Sequence, residues 1–379
     1  MTGARTDPYR NPGARDWRAE RVAGVAGFHR SLPGYAPTRL VPVPGLAQEL
    51  GVRSVFVKEE SSRLGLPAFK VLGASYAVSR ALSQRYGADG GRVLPLDELR
   101  AAAAGHDPVE LIAATDGNHG RAVAHFAGLL GLPSRIFFPA GISAAASAAI
   151  SAEASQAVEL GLPYDGVVNA AQEAAASAGD AAVLIQDTSW PGYEQIPQWI
   201  TDGYSTLFHE VDEQLAAAGA GPPGLVAVPV GVGALAHAAV LHYRSGSAVP
   251  GSAAAIAPTV LSVEPAVAPA IISSLHAGRM VTVPTAPTIM NGLNCGTPSA
   301  SAWPVLRAGL DAAVTVTDGE AARAVRDLEA AGVDSGPCGA ASLAGVRALA
   351  RTGSLAADTT VLLLSTEGRA ANPLPEGTA

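Results

Sequence analysis

The chain is short of the residues that mark several common functions. Two cysteines, Cys295 and Cys338, in 379 residues give neither a disulfide framework nor zinc-ligand spacing, so a reducing cytoplasm is the expected compartment. Charged residues are only 15 % and the net charge is −8, without a long basic run, which argues against a surface that tracks nucleic-acid phosphates. Aromatic residues are 5 %, few for a surface on which bases stack. An uninterrupted apolar run is also missing. The most apolar region, Leu225 to Leu241, is broken by Pro229, Gly231, Gly233 and His237, and the N-terminal MTGARTDPYRNPGARDWRAERVAG lacks the apolar centre of a signal peptide. Neither nucleic acid nor membrane is therefore expected as a partner, and a small acidic or zwitterionic ligand needs a local positive site.

What is abundant is Ala, Gly and Val, within a hydrophobic content of 48 %. That is ample for a large core and suits close packing of helices on a sheet, in about two domains of ~150 residues each. Short apolar runs alternate with Ala-rich helical stretches, the pattern of an α/β protein with a mostly parallel sheet. The expected strands are Val55–Lys58, Leu111–Ala114, Arg135–Pro139, Gly166–Val168, Val183–Ile185, Leu225–Pro229, Val260–Val263 and Val361–Ser365. The expected helices are Val71–Gln84, His119–Leu130, Ala144–Leu160, Asn169–Ala178, Ile196–Ala218, Ala234–Tyr243, Gly319–Ala331 and Ala340–Ala350. Tyr86 to Asp107 reads as an insertion or an interdomain connection, and the proline-bearing tail after Asn372 as mobile.

Three segments carry chemistry. In PAFKVLGASYA, Lys70 opens a helix among small and apolar neighbours. Burial lowers an ammonium's pKa, so such a lysine can be a neutral amine nucleophile suited to Schiff-base formation; the alternative is a stem packed on apolar surface with its head in water. In ATDGNHG a strand runs into a helix, whose unpaired N–H groups favour an anion, while Asp116 adds a titratable group and Asn118 a two-way hydrogen bonder. A plain capped turn accounts for the same residues. In VAVPVGVGALAHA a strand, a glycine turn and an apolar helix form a phosphate-cradling unit. Gly231, Gly233 and Ala236 also fit the G-x-G-x-x-A dinucleotide pattern, which keeps an NAD-dependent oxidoreductase open, although the next acidic strand-end residue, Glu264, lies further on than that pattern places it.

Taken together and in this order, the segments resemble the fold type II pyridoxal-phosphate enzymes, the group of the tryptophan synthase β-subunit and the serine/threonine dehydratases. Within that group the diaminopropionate ammonia-lyases are most similar. The resemblance runs through FHRSLPGYAPTRL, KEESSRLGLPAFKVLGASYA, ATDGNHGRAVA, QDTSWPGYEQIPQWITDGY, PVGVGAL, TIMNGLNCGTPS and LLLSTEG, from Phe28 to Gly368. The aspartate before GNH and the QDTSW stretch are its most specific parts, since dehydratases carry a small residue at the position of Asp116.

The resemblance implies two α/β domains with cofactor and substrate in the cleft: a small domain at 80–186, and a large one assembled from 1–79, with the cofactor lysine, and 187–379, with the glycine loop. It implies that Lys70 holds pyridoxal 5'-phosphate as a Schiff base and that Asn118 contacts the cofactor's phenolic oxygen. The amides of Gly231, Val232, Gly233, Ala234 and Leu235 would hold the phosphate, and Ser365 or Thr366 would face the pyridine nitrogen. It further implies that Asp116 and Asp187 serve proton transfer and substrate recognition, Asp116 with the D-isomer's α-proton and Lys70 with the L-isomer's. The implied reaction is elimination of ammonia from 2,3-diaminopropionate to pyruvate by a cytoplasmic homodimer. The chain departs from the group at Asn294-Cys295-Gly296-Thr297, at Asp334-Ser335-Gly336-Pro337 and at Arg369-Ala370-Ala371, which leaves a lyase for another β-substituted amino acid open. A binding protein on a retired scaffold is the remaining class. His119 is read as packing under its helix, and the two cysteines as small buried groups.

Overall fold

The computed structural model describes residues 7–20, 24–88, 91–245, 257–353 and 355–375. In chain order the elements begin with β1 (Tyr9–Arg10), α1 (Val25–Arg30), β2 (Leu40–Pro42), α2 (Pro44–Leu50), β3 (Ser54–Glu59) and α3 (Lys70–Arg85). Next come α4 (Leu96–Ala104), β4 (Glu110–Ala114), α5 (Asn118–Leu130), β5 (Ser134–Pro139), α6 (Ala144–Glu153), β6 (Gln156–Leu160), α7 (Tyr164–Ala178) and β7 (Ala182–Leu184). The remainder is α8 (Gln195–Gly203), α9 (Ser205–Ala217), β8 (Leu225–Pro229), α10 (Ala234–Arg244), β9 (Thr259–Pro265), α11 (Ala270–Ala277), α12 (Ala302–Gly309), β10 (Ala312–Val316), α13 (Asp318–Ala330), α14 (Pro337–Ala350) and β11 (Thr360–Ser365). The chain divides into two compact units, one of Met1–Ala23, Pro37–Ser62 and Ser205–Ala379, the other of Gly24–Ala36 and Arg63–Tyr204.

The first unit is built on a seven-stranded sheet ordered β1-β10-β9-β8-β11-β3-β2, parallel except for β1 and β2 at its ends. Its central strands, VLLL of β11 and LVAVP of β8, are buried throughout, as parallel strands covered by helices require. Helix α14 lies along β8 to β11, and Val43, Leu46, Val263, Leu343, Val346 and Leu363 share one core. The register Val361↔Leu225, carried forward, sets Ser365 level with Pro229, so β11 and β8 end side by side.

The second unit has a four-stranded parallel sheet ordered β6-β5-β4-β7. Helix α3 packs against both α5 and α8. It buries Val71, Leu72, Tyr76, Val78 and Leu82, worth roughly 1.5–3 kcal/mol for each large apolar side chain removed from water. Two glycines let α3 and α8 touch backbone to backbone. A Cβ at Gly73 would stand 2.6 Å from Tyr204 Cε1 and 2.8 Å from the Ile200 carbonyl oxygen, and one at Gly203 would stand 2.5 Å from the Leu72 oxygen.

Several expected elements differ. Ala144–Leu160 is not one helix: Ala154 turns to φ −79°, ψ 143°, and Gln156–Leu160 becomes an edge strand beside β5. Gly166–Val168 is not a strand but part of α7, where Val167, Val168 and Ala171 recur at helical spacing on the buried face. The expected helix Ile196–Ala218 is two helices, α8 and α9, and the unit boundary falls at their junction. Tyr86–Asp107 carries α4, which packs on α3 and α5 inside the second unit. Residues 89–90 of that segment and 376–379 of the tail lie outside the described residues. The unit boundaries at Arg63 and Tyr204 also differ from 80 and 186, so Lys70 and Asp187 both fall in the unit that holds the asparagine loop.

Candidate active site

In the second unit, Lys70 is the first residue of α3, where the helix dipole and unpaired N–H groups disfavour a cation. A carboxylate answers it: Lys70 Nζ lies 2.6 Å from Asp187 Oδ2. The lysine is about one-fifth exposed and the aspartate nearly buried, at 21 % and 7 %. Burial by itself lowers the lysine's pKa, but Asp187, then Tyr204 and Asp116, outweigh it and hold the ammonium above its ordinary range. Burial likewise pushes Asp187 up, and Lys70 and His119 outweigh that and hold it at about 2. Of the two states the sequence left open, the paired carboxylate favours the charged one.

Asp187 is positioned by the end of β7. Its neighbour Gln186 accepts from Ala114 N at 3.0 Å and donates to Tyr164 Oη at 3.1 Å, which locks the segment to β4 and α7. Tyr193 Oη accepts from Gln186 N and donates to the Leu184 oxygen, at 2.9 and 2.7 Å. These bonds account for Gln186 and Tyr193 in QDTSWPGY. Across from them, Asp116 and Asn118 sit where β4 turns into α5, both part-exposed, and Gly120 is required there because a Cβ would meet Ile136 Cγ2 at 2.6 Å. The N-cap of α5 is Gly117, so no side chain caps the helix from that position. His119 Nε2 is 2.8 Å from the Ile185 oxygen, and its Nδ1 is 4.0 Å from Asp187 Oδ2.

In the first unit, β8 runs through Gly231-Val232-Gly233 into α10. The N-cap is Gly233 at φ +104°, without a side-chain cap, which leaves the helix start to an external anion. A Cβ at Gly233 would crowd Leu306 Cδ1 at 2.9 Å, and one at Gly231 the Gly292 oxygen at 3.0 Å. At the end of β11, Ser365 and Thr366 are buried, and Ser365 Oγ donates to Ser335 Oγ at 2.8 Å. Glu264, the residue a dinucleotide reading would use for a ribose, is fully buried, and its two oxygens accept from Ile271 N at 2.7 Å and Ile272 N at 2.8 Å. It is a carboxylate cap for α11.

Residues 32–367 match a protein family described as pyridoxal-phosphate dependent enzyme. The chain belongs to that family. It is 36 % identical to the diaminopropionate ammonia-lyase of Salmonella typhimurium over 80 % of this chain and 74 % of that one. It is 35 % identical to the diaminopropionate ammonia-lyase of Escherichia coli K12, over 90 % of this chain and 86 % of that one. A crystal structure of the Escherichia coli diaminopropionate ammonia-lyase in complex with D-serine superposes with a TM-score of 0.86 at 30 % identity, covering 98 % of this chain and 96 % of that one. As a pyridoxal-phosphate dependent enzyme of fold type II, the chain has the parallel sheets flanked by helices that this fold requires.

The residues present fit the cofactor. A glycine helix start without a side-chain cap suits a phosphate, and neutral hydroxyls suit a pyridine nitrogen. Lys70, Asp116, Asn118 and Asp187 belong to the second unit; Gly231 to Leu235, Ser365 and Thr366 belong to the first. Sequence reasoning missed Tyr204, whose ring packs 4.7 Å from that of Phe69, the residue before Lys70. Gly73 is the signal that could have found it, because a glycine inside an apolar helix marks a close neighbour. Among the described residues no helix is long and apolar enough to cross a membrane.

Proposed function

We propose that this enzyme eliminates ammonia from 2,3-diaminopropionate to give pyruvate and ammonia. The observation that carries the reading is the set of two carboxylates acting on one lysine: Asp187 at 2.6 Å, and Asp116 within electrostatic reach. That set suits a substrate with two amino groups, one to be activated at Cα and one to be expelled from Cβ. The relatives' names agree with it.

Lys70 would hold pyridoxal phosphate covalently through Nζ, the amides of Gly231 to Leu235 would hold its phosphate, Asn118 its phenolic oxygen, and Ser365 or Thr366 its ring nitrogen. When bound, the cofactor supplies the electron sink that weakens the Cα–H bond. The chain supplies the protons. Lys70 takes the α-proton of an L-isomer and Asp116 that of a D-isomer, and Asp187 beside Lys70 sets the lysine's charge. An amino group is a poor leaving group unless protonated, so the same acid–base set must keep or deliver a proton on the nitrogen carried by Cβ, which then leaves as ammonia. The departing 2-aminoacrylate adds water to yield pyruvate and a second ammonia. We further propose that the enzyme works in the cytoplasm, which its free cysteines suit, and as a homodimer, which the family resemblance implies.

Borohydride reduction of the loaded protein, followed by peptide mapping, tests the assignment. The chain has only two lysines, Lys58 and Lys70. Lys58 is fully buried and bound to Glu210, Gln214 and the Thr38 oxygen at 2.6, 2.9 and 2.9 Å. Label should appear on Lys70; label on Lys58 would defeat the reading.

A further inference from the structure

The His119 imidazole has a role beyond packing under its helix. A carbonyl oxygen only accepts, so the 2.8 Å contact with Ile185 puts the hydrogen on Nε2 and leaves a lone pair on Nδ1. That Nδ1 is buried and has no hydrogen-bond partner among the described residues. It lies 4.0 Å from Asp187 Oδ2, the same oxygen that Lys70 Nζ engages at 2.6 Å. One carboxylate oxygen is thus flanked by two nitrogens, one charged and one empty-handed. Gln186 Nε2 lies 3.5 Å from the other oxygen, Oδ1.

We propose that Asp187 alternates between two cations, the Lys70 ammonium and the His119 imidazolium, so that His119 Nδ1 takes a proton whenever the Lys70 nitrogen gives up its charge. His119 is then a positioning residue that acts through Asp187. The inference rests on Lys70 being the nitrogen that changes state in the reaction. The step is a proton shift alone: an N–H bond at Lys70 breaks, the proton passes by way of the Asp187 carboxyl, and an N–H bond forms at Nδ1, with net charge unchanged. Without an alternative cation, loss of the lysine's charge would strand a buried carboxylate, a cost proteins avoid.

The groups that face His119 make the alternation conditional. Burial holds the imidazole below its ordinary range, Asp187 pulls it up and Lys70 pushes it down, while the start of α5 also disfavours its charge. Removing the Lys70 charge removes the strongest opposing cation and leaves the attraction of Asp187. An opposite charge at this distance raises a histidine's pKa by ~1–3 units.

The test uses the full-length protein without cofactor, labelled with ¹⁵N-histidine and assigned through His119→Gln. In the wild type, His119 should be the neutral Nε2–H tautomer near neutral pH. Lys70→Met should raise its titration midpoint by at least ~1 unit, and adding Asp187→Asn should cancel the rise. An unchanged midpoint in Lys70→Met, a rise that survives Asp187→Asn, or an Nδ1–H tautomer in the wild type would each overturn the proposal. Because this readout needs no turnover, failure of the diaminopropionate reading leaves it standing. A second arm covers a Lys70→Met that does not fold. His119→Gln keeps a donor for the Ile185 oxygen but cannot titrate, so kcat should fall ~10–100-fold with KM changed less than about twofold. An unchanged kcat would count against the relay.

Discussion

Replacing Asp187 by asparagine isolates the electrostatics of the site. The substitution keeps shape and hydrogen bonding and removes one charge at 2.6 Å from Lys70 Nζ. At an effective dielectric constant of ~20 that charge is worth about 6 kcal/mol of attraction, and the loss of water around both groups offsets much of it. The net expectation is a fall of ~1–3 units in the Lys70 pKa, because burial, which lowers it, is then less opposed. Reductive ¹³C-methylation followed by an NMR pH titration reads this directly, since the only other lysine is Lys58. Stability should follow with a definite sign. The Asp187 pKa is depressed from 3.8 to about 2, so the pair's contribution is complete above pH 3.8 and is lost as pH falls through about 2. That contribution is on the order of 2 kcal/mol, and Asp187→Asn should lack the acid-sensitive part. A Lys70 pKa that stays within a few tenths of its wild-type value would refute the reasoning.

Asp116→Asn should depress turnover of the D-isomer ~10²–10⁴-fold and that of the L-isomer far less, with cofactor absorbance nearly unchanged; equal small losses would leave Asp116 a turn residue. Gly233→Val should weaken pyridoxal-phosphate affinity measured by titration, since the residue sits at φ +104° and a side chain would crowd Leu306. Gly73→Val should lower the melting temperature, at a cost of about 1–3 kcal/mol, by pushing α3 off α8; chemical denaturation would show it, and a variant as stable as the wild type would contradict the packing described.

Much of this was legible because strand ends and glycine turns announce themselves. VAVPVGVG gave the strand β8, the turn and the start of α10 to within a residue, as a buried parallel strand followed by glycines should. The run Ala144–Leu160 was illegible because Ala, Ser and Glu carry no punctuation, and its second half becomes a strand only through pairing with β5. AAVTV of β10 was passed over for a similar reason: two alanines hide a five-residue strand that its neighbour β9 specifies. At the site, Lys70, Asp116 and Asp187 were readable as residues. The charge state of Lys70 and Asp187 was not, since it depends on a 2.6 Å contact between residues 117 positions apart in the chain. Tyr204 was hidden by the same kind of distance.

The most direct test of the account is product stoichiometry with D- and L-2,3-diaminopropionate. The purified protein loaded with pyridoxal phosphate should release two ammonia for each pyruvate from that substrate, and Lys70→Ala should release none. Turnover of serine or threonine with one ammonia per 2-oxo acid, and no turnover of either diaminopropionate isomer, would contradict it.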